Sequence, residues 1–348
     1  MNRKIGFGII GCGVIADWHI RGIENAQYAK LVAVCDANET KARNLGEKKK
    51  VDYYTKMEEM LKRQDLDVIC ICTPSSLHPE QAVLAANAGK HIITEKPMAI
   101  TLEKADEMIN ACKKNRVKLA TIFQRRVTEP FASIKKAFEN NELGKLILGD
   151  CCLKYYRGQA YYDSAGWRGT WKFDGGGALM NQGIHMIDIL QWLMGDVEEV
   201  FSYSKTLARK IEVEDTSVSV LNFKNGAVGI IECATSVFPS TIPHRLEVHG
   251  EKGSILFEGE GVKRWVTGGP DGEPVEKVGN IENTGKSITS PTDISDAGHR
   301  IQIQDMVEAI KENRDPMVTG EEGRKALEII LAIYKSSKTG MPVKLPLK

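Results

Sequence analysis

An amide and an imidazole stand four residues apart, shortly after three consecutive glycines. The stretch GGGALMNQGIH spans residues 175–185 and contains Asn181 and His185. Its apolar residues have helical spacing, and residues four apart lie on one face of a helix. An imidazole titrates near neutrality and can accept a proton from a hydroxyl, whereas an amide can only orient the hydroxyl or the imidazole. The stretch therefore predicts a polar pair that handles a hydroxyl group; the competing interpretation makes His185 an ordinary core histidine.

A second set of residues that could take part in a reaction is the triplet Glu95-Lys96-Pro97, which ends the strand-like segment 91–97. Open α/β sheets bind their ligands at the carboxyl ends of the strands. A positive charge on a nearby ligand would lower the pKa of a lysine from its reference value of about 10.4, which would make Lys96 a usable acid–base group. Glu95 would moderate that shift. Taken alone, the triplet is equally compatible with a surface salt bridge.

The pattern G-x-G-x-x-A indicates a ligand that can carry such a charge. It is formed by Gly11, Gly13 and Ala16, follows the predicted strand 5–10 and opens a predicted helix. The first glycine allows a tight turn, the second lets a pyrophosphate approach the backbone, and the small third residue lets the helix pack on the strand. Backbone N–H groups at the helix start then face the phosphates. The cofactor contacts predicted here are those of Gly11, Gly13, Val14 and Ile15.

An acidic residue, Asp36, ends the next predicted strand and lies twenty residues after Ala16. A carboxylate at this place accepts hydrogen bonds from ribose hydroxyls, and it repels a 2′-phosphate. The sequence therefore predicts NAD as the cofactor, with NADP less favoured.

These residues need a sheet to position them, and the first 120 residues alternate between strand and helix periods. The predicted strands are 5–10, 30–36, 67–74, 91–97 and 118–123. Near-continuous apolar strands that alternate with helices are typical of a doubly wound parallel sheet. The sequence therefore predicts an α/β fold that begins with a NAD-binding Rossmann domain over residues 1–122.

The pattern changes after residue 123. Consecutive strand-like segments without helices between them favour a large, mostly antiparallel open sheet. They are 197–206, 216–223, 227–236, 244–250 and 253–257, and an earlier strand is predicted near 146–156. Residues 266–299 are rich in Gly, Pro, Ser, Thr and Asp and are compatible with a long excursion or with hairpins. We predict a C-terminal α/β domain over 123–348 for substrate binding and oligomerisation.

The net charge and the cysteine spacing limit the classes of partner and site that this chain is expected to have. The 47 basic and 46 acidic residues give a formal net charge of +1, which offers no reason to expect a nucleic-acid or anionic membrane partner. The eight cysteines form no CxxC motif and no zinc-like spacing, which favours free thiols, a reducing cytoplasm and no metal site. A broad open sheet tends to bury itself against a copy, which predicts a homodimer or homotetramer.

Four stretches resemble the glucose–fructose oxidoreductase and inositol dehydrogenase (Gfo/Idh/MocA) family. They are GIIGCGVIADWH, VAVCD, ICTPSSLHPEQAVLAANAGKHIITEKPMA and GGGALMNQGIHMIDILQWLMG, and the similarity covers nearly the whole chain in the same order. The resemblance implies an oxidoreductase that acts on a hydroxyl carbon of a sugar, glycoside or cyclitol. It makes Lys96 and His185 the active-site lysine and histidine. Asn181 stands where many members carry aspartate, which argues against a carboxylate-assisted proton relay.

The resemblance also implies further contacts. Near the cofactor it places Thr73, Pro74 and His78 of the TPSSLH segment, Glu95, and Gln124 of the FQRR segment. Two other functions fit the same residues. One is an enzyme that retains NAD and cleaves a glycosidic bond; the other is a non-catalytic regulator that senses sugars and nucleotides.

Residues 154–174, which directly precede the three glycines, are rich in aromatic and basic side chains and form the aromatic segment. Aromatic faces stack on the C–H faces of sugars, and Arg and Tyr bind hydroxyls. The predicted substrate contacts in this segment are Lys154, Tyr156, Trp167 and Arg168, and the resemblance adds Arg125, because the FQRR segment matches one that lines the site in the family. Lys154 and Tyr156 share a strand face, whereas Trp167 and Trp171 fit a role as packing anchors equally well.

Overall fold

The computed structural model describes residues 3–239, 241–259, 261–269, 272–277 and 296–347. The chain forms two compact units, and each contains one sheet. The first unit comprises Met1–Gln124 and Asp296–Arg324, and the second comprises Arg125–Ser295 and Lys325–Lys348, so far as these residues are described.

The first unit contains a six-stranded, all-parallel sheet in the order β3-β2-β1-β4-β5-β6. Its strands are β1 (Ile5–Ile10), β2 (Ala29–Cys35), β3 (Asp52–Tyr54), β4 (Val68–Ile71), β5 (His91–Thr94) and β6 (Leu119–Thr121). The helices between them are α1 (Ala16–Asn25), α2 (Glu39–Lys49), α3 (Met57–Met60), α4 (His78–Asn87) and α5 (Leu102–Asn115). The predicted doubly wound parallel sheet is confirmed, and its strand order is that of a Rossmann fold.

Burial explains which strands the sequence reveals. Strands β1 and β4 are buried at every position, so each is a continuous apolar run. Strand β3 was missed because it has three residues at the sheet edge, none of them buried. The chain order reverses between β1 and its neighbour β4, and ligands of such sheets bind at this switch point.

Helix α9 (Ala297–Glu312) belongs to the first unit, although the division at residue 122 assigns it to the second domain. Its Gln302 donates to the Thr121 carbonyl at 3.0 Å, and its Gln304 accepts from the Gln27 N–H at 2.7 Å. These contacts join parts of the chain that are 181 and 277 residues apart. A hydrophobic period indicates a helix but does not indicate such a distant packing partner.

The second unit contains a nine-stranded sheet in the order β14-β13-β12-β11-β7-β10-β9-β8-β15. Its strands are β7 (Leu146–Lys154), β8 (Val197–Lys205), β9 (Thr216–Phe223), β10 (Val228–Ala234), β11 (Arg245–Gly250), β12 (Gly253–Glu258), β13 (Gly261–Gly268), β14 (Pro274–Glu276) and β15 (Val343–Lys344). Of the described strand pairs in this sheet, β7 and β10 alone are parallel. The predicted mostly antiparallel sheet is confirmed.

Helices accompany that sheet. They are α6 (Phe131–Glu139), α7 (Gln159–Asp163), α8 (Ile184–Met194) and α10, whose range Gly320–Thr339 begins in the first unit. The segment 266–299 contains the end of β13, strand β14 and the start of α9, and its residues 270–271 and 278–295 lie outside the described residues. None of the described helices is both long enough and apolar enough to cross a membrane.

Candidate active site

The glycine turn after strand β1 combines a fixed backbone with open space. Gly11 has φ = +91°, and its N–H donates to the Cys35 carbonyl at 2.8 Å. A Cβ atom on Gly11 would lie 2.8 Å from the carbonyl carbon of Cys72, so only glycine fits there. At Gly13 a Cβ atom would meet nothing within 4 Å. A phosphate therefore has room to approach the backbone at the start of helix α1.

Asp36 directly follows strand β2 and bonds to this turn. Its Oδ2 accepts from the Cys12 N–H and its Oδ1 accepts from the Asn38 N–H, both at 2.8 Å. Each carboxylate oxygen can accept a second hydrogen bond. Asp36 therefore fixes the turn and is still able to bind ribose hydroxyls. Beside it, Val14 is exposed and Ile15 is the N-cap residue of helix α1.

His78 joins the segments that follow strands β4 and β5. Its buried ring places Nε2 2.8 Å from the Thr73 carbonyl and Nδ1 2.9 Å from the Pro97 carbonyl. Burial lowers the pKa of His78, and the two carbonyls oppose that effect. Pro74 precedes the short 3₁₀ helix Ser75–Leu77. His78 thus holds two backbone segments of the predicted cofactor site in place.

Glu95 lies in a buried cluster with two histidines that the sequence patterns did not reveal. Its Oε1 accepts from His19 Nε2 at 2.9 Å and from His299 Nε2 at 3.1 Å. The Lys96 N–H donates to Oε2 at 3.3 Å. Burial raises the pKa of Glu95, but the hydrogen bonds from the two histidines outweigh it and hold the pKa well below its ordinary value. Glu95 is therefore ionised, and it directly precedes Lys96 in the chain.

This histidine–glutamate cluster could also be read as a metal-binding group. Within the part of the chain that the structure describes, it alone brings three imidazole or acidic ligand atoms within 4.8 Å of one another. Metal-bound histidines normally donate their second ring N–H to a partner. The Nδ1 atoms of His19 and His299 have no hydrogen-bond partner among the described residues. The geometry therefore favours a hydrogen-bonded network.

Acid should destabilise this cluster. The pKa of Glu95 is depressed below 4.5, so its contribution to the free energy of unfolding is complete above pH 4.5 and is lost as the pH falls through the folded-state pKa. Burial lowers the pKa of His19 below 6.5, so stability also falls as the unfolded chain takes up this proton below pH 6.5.

The variant Glu95→Gln tests this account. It is expected to lose about 1–3 kcal/mol of the free energy of unfolding at pH 7, because a Gln oxygen that faces the two histidines leaves its NH2 group against the Lys96 N–H, and the reverse orientation takes the acceptor from both histidines. The difference from the parent protein should be constant above pH 4.5 and narrow as the pH falls below it. Urea unfolding at pH 7, 4.5 and 3 measures it, and a difference that is as large at pH 3 as at pH 7 would contradict the assignment.

A buried glutamate, Glu214, holds the glycine stretch of the second unit. Its carboxylate accepts from the N–H groups of Gly177 and Leu179 and from the Tyr334 hydroxyl, each at 2.9 Å. A Cβ atom on Gly177 would lie 1.8 Å from the Glu214 carbonyl oxygen, so this close approach requires glycine. Burial raises the pKa of Glu214 to about 7, and these hydrogen bonds oppose the rise. Glu214 and Tyr334 were not predicted, because neither lies in a recognisable sequence pattern.

Asn181 and His185 lie on two different kinds of helix. Asn181 is part of the π-helix Ala178–Gly183, and His185 is in the first turn of α8, which ends before Gly195. A π-helix repeats its hydrogen bonds every five residues, so the same-face argument for residues four apart does not transfer to it unchanged. Short π segments occur often at functional sites.

A buried carboxylate, Asp174, contacts the Asn181 amide. Asp174 Oδ1 accepts from Asn181 Nδ2 at 2.9 Å, and Asp174 Oδ2 accepts from the Gly169 N–H at 3.0 Å. Asp174 is 4% exposed. No sequence pattern points to Asp174, although it directly precedes the three glycines.

An internal ion pair lies one turn beyond His185. The Arg126 guanidinium donates to both carboxylate oxygens of Asp188, at 2.7 and 2.6 Å, and both side chains are buried. The guanidinium also lies over the Trp192 ring at 5.3 Å. For Asp188 the structure shows a partner 62 residues away that joins α8 to the 3₁₀ helix Gln124–Val127.

The aromatic segment forms stacks of its own. Arg168 lies over the Tyr161 and Trp167 rings at 4.3 and 4.5 Å. Trp171 is 46% exposed, and its Nε1 donates to the Glu212 carbonyl. Trp167 is therefore packed against a cation, whereas Trp171 keeps an exposed ring face.

The remaining predicted residues are spread over the two units. Lys154 pairs with Glu232 at 2.9 Å, and the Tyr156 ring faces Arg209 at 5.2 Å. Gln124 ends the sequence-continuous part of the first unit, and Arg125 begins the second. Lys96 belongs to the first unit and His185 to the second.

The first unit has the architecture of a dinucleotide-binding domain, and its turn has the space and the acceptor that such a ligand requires. This architecture and this turn define a dinucleotide-binding protein. The chain belongs to the Gfo/Idh/MocA oxidoreductase family. Residues 5–123 match the family model for its NAD-binding Rossmann fold, and residues 135–345 match the model for its C-terminal alpha/beta domain. The resemblance inferred from the motifs is confirmed.

Several of the named relatives are dehydrogenases. Myo-inositol 2-dehydrogenase of Thermotoga maritima is 28% identical over 97% of this chain and 98% of its own length. The WlbA dehydrogenase of Bordetella pertussis, in complex with NADH and UDP-GlcNAcA, is 34% identical with a TM-score of 0.88 over 99% of this chain and 100% of its own. The WlbA dehydrogenase of Chromobacterium violaceum, with the same two ligands, is 33% identical with a TM-score of 0.87 over 100% and 98%.

Proposed function

We propose that this chain is an NAD-dependent dehydrogenase that acts on a secondary hydroxyl of a sugar, glycoside or cyclitol. The open Gly11–Gly13 turn with Asp36 bonded to it carries the proposal, because it supplies both the phosphate site and the ribose acceptor. When bound, NAD accepts the hydride from the carbinol carbon. The family match and the dehydrogenase names of the relatives support the same activity.

The proposed roles of the side chains follow from their chemistry. Lys96 and His185 share the transfer of the hydroxyl proton, and Asn181 orients the substrate. Glu95 and His78 hold the backbone near Lys96 through the hydrogen bonds described above. The proposed cofactor contacts are Gly11, Gly13, Val14, Ile15, Asp36, Thr73, Pro74, His78, Glu95, Lys96 and Gln124.

A nucleotide-linked sugar acid is the substrate to test first. The two WlbA relatives, at 34% and 33% identity, are complexes with UDP-GlcNAcA. Basic side chains in the aromatic segment suit a substrate with negative charges. The proposed substrate contacts are Arg125, Lys154, Tyr156, Trp167 and Arg168.

A substrate panel tests the activity. Inositols, free hexoses, an anhydrosugar and a UDP-linked N-acetylated uronic acid are each incubated with NAD, and NADH is followed by absorbance and the products by mass spectrometry. NADH formed with one class and its keto product establish a dehydrogenase. Release of a free sugar without net NADH would indicate the glycoside-cleaving alternative. Binding of NAD and sugar without any product would indicate a regulator.

Asp36 should select NAD over NADP. Its carboxylate repels a 2′-phosphate, so NADH is expected to bind at least about tenfold more tightly than NADPH. Asp36→Ala should narrow this ratio and weaken NADH binding, because the ribose and the Cys12 N–H both lose an acceptor. Nicotinamide fluorescence titration gives both dissociation constants, with Glu24→Ala, an exposed acid near the end of α1, as the control. Equal affinities in the parent protein would show that Asp36 does not face the ribose.

We propose that the open sheet mediates a homodimer or homotetramer. Strand β9 alternates buried and exposed residues, and the exposed face presents Val218 (49% exposed) and Val220 (51%), with Tyr203 (63%) on β8. Exposed apolar residues that cluster on one sheet face are typical of an interface.

Light scattering at micromolar concentration tests the oligomer. The parent protein is expected at two or four times the chain mass, and Val220→Lys should shift it towards the monomer because an ammonium would be buried at the contact. Asn110→Lys, on an exposed site of α5 in the first unit, should leave the mass unchanged. A monomeric parent protein would overturn the proposal.

The domain roles and the location complete the proposal. Residues 1–122 bind NAD, and residues 123–348 bind the substrate and form the oligomer, with α9 packed in the first unit. All eight cysteines are free, and burial raises the pKa of Cys12, the one of intermediate exposure, to about 12. This cysteine chemistry supports a reducing cytoplasm as the location.

A further inference from the structure

The contact between Asp174 and Asn181 fixes which end of the amide faces which way. An ionised aspartate offers only acceptors, whereas an asparagine has a donor end and an acceptor end. With Asn181 reversed, two oxygen atoms would lie at the 2.9 Å that now separates Nδ2 from Oδ1. The Gly169 N–H fixes the second Asp174 oxygen at 3.0 Å, so the carboxylate cannot turn away without losing that bond.

The orientation leaves the Asn181 carbonyl oxygen as the atom turned away from Asp174. The neighbouring Gln182 Nε2 lies 3.4 Å from this oxygen, which is the long end of hydrogen-bond distances. The oxygen can accept a second hydrogen bond. A substrate group that bonds to it must therefore be a donor, such as a hydroxyl.

We propose that Asp174 is a positioning residue that orients Asn181 as a hydrogen-bond acceptor for a substrate hydroxyl. The inference rests on the proposed dehydrogenase function and adds a selectivity to it. A hydroxyl can donate to the Asn181 oxygen, but a ketone cannot. The site therefore binds the alcohol more tightly than the corresponding ketone at this contact.

The pair also predicts how each variant behaves. Asn181→Asp places two carboxyl groups at about the present contact distance, where both cannot be ionised together. In Asp174→Asn the amide oxygen of residue 174 stays on the Gly169 N–H, so its NH2 group faces Asn181 and Asn181 turns its oxygen towards position 174 and its own NH2 group away from it. The exchange Asp174→Asn with Asn181→Asp restores one carboxylate and one amide. In this double variant the amide at position 174 is the donor and the carboxylate at position 181 is the acceptor.

The kinetic test compares these three variants with the parent protein on the substrate found in the panel. At pH 8, Asn181→Asp should lower kcat/KM about tenfold or more, and the exchanged double variant should recover to within about threefold of the parent protein. Asp174→Asn should raise KM for the alcohol more than KM for the ketone, with the dissociation constant of NADH unchanged. Asp163→Asn, an exposed acid of the same segment, is the matched control.

The pH dependence separates orientation from a merely structural effect. The defect of Asn181→Asp should shrink as the pH falls towards 5, because one of the two carboxyl groups is then protonated. The exchanged variant should lack this recovery. A double variant no better than the product of the two single variants would overturn the inference.

Melting temperatures test the contact between Asp174 and Asn181 independently of enzyme activity. The melting temperature of Asn181→Asp should fall by at least about 3 °C at pH 8 and should be regained in the exchanged variant, in the absence of substrate. Additive losses would overturn the orientation of Asn181 even in an active enzyme. Coupled losses in a protein that oxidises no member of the panel would instead contradict the proposed function.

Discussion

Lys96→Ala is expected to lower turnover by about 100-fold or more while NADH binding persists. Positioned acid–base groups contribute on this scale, and the loss should fall on kcat rather than on the dissociation constant of the cofactor. Lys96 follows an ionised Glu95 at the carboxyl end of β5, where the fold places its ligands. Steady-state kinetics on the best panel substrate, together with NADH fluorescence titration, gives both quantities.

Two further variants show whether the turnover is lost with the acid–base group of Lys96 or with its positive charge. Lys96→Arg keeps the positive charge but cannot release its proton, so it should be nearly as slow as the alanine variant. Lys104→Ala, an exposed lysine that pairs with Glu107 on α5, should retain full turnover. Full activity of the Lys96→Arg variant would assign Lys96 an electrostatic role, and full activity of the alanine variant would remove Lys96 from the mechanism.

Asp188→Ala is expected to destabilise the protein by about 3–5 kcal/mol. It removes both carboxylate acceptors of the buried Arg126 guanidinium, and breaking a buried ion pair by removing one member is strongly unfavourable. Because α8 carries both Asp188 and His185, activity should fall as well. Urea unfolding of the parent protein and the variant gives the difference in the free energy of unfolding.

The double variant Arg126→Met with Asp188→Leu is the matched comparison. Removing both charges replaces the ion pair by apolar side chains, so much of the lost stability should return. Glu107→Ala, which breaks the exposed pair with Lys104, should leave the free energy of unfolding nearly unchanged. A loss below about 1 kcal/mol in Asp188→Ala would show that the pair is reached by water.

The first unit was largely predictable because its signals are local. A buried parallel strand is a continuous apolar run, and the glycine fingerprint, Asp36 and the strands that flank them lie within 36 residues. Strand β3 and the place of α9 were not predictable. The former is a short exposed edge strand, and the latter depends on packing between residues 181 or more positions apart.

The site of the second unit was predictable only in its residue types. The motif gives Asn181 and His185, but the π-helix that holds Asn181 depends on Glu214 and Tyr334, which are distant in sequence. Asn181 taken alone suggests that Asn181→Asp would simply make His185 more basic. The contact with Asp174 changes that expectation, because the new carboxylate would first meet an existing one.

The raised pKa of Glu214 bears on how pH–rate curves of this enzyme are read. A buried glutamate with a pKa of about 7 titrates in the range where an imidazole does. Ionisation of Glu214 strengthens its hold on the N–H groups of Gly177 and Leu179, so the backbone that presents Asn181 responds to the same protons as the proposed base. A change in rate near neutral pH can therefore come from ionisation of His185 or of Glu214, and Glu214 need not contact the substrate to produce it. Assignment of such a change to His185 requires the same curve from a protein in which residue 214 no longer ionises.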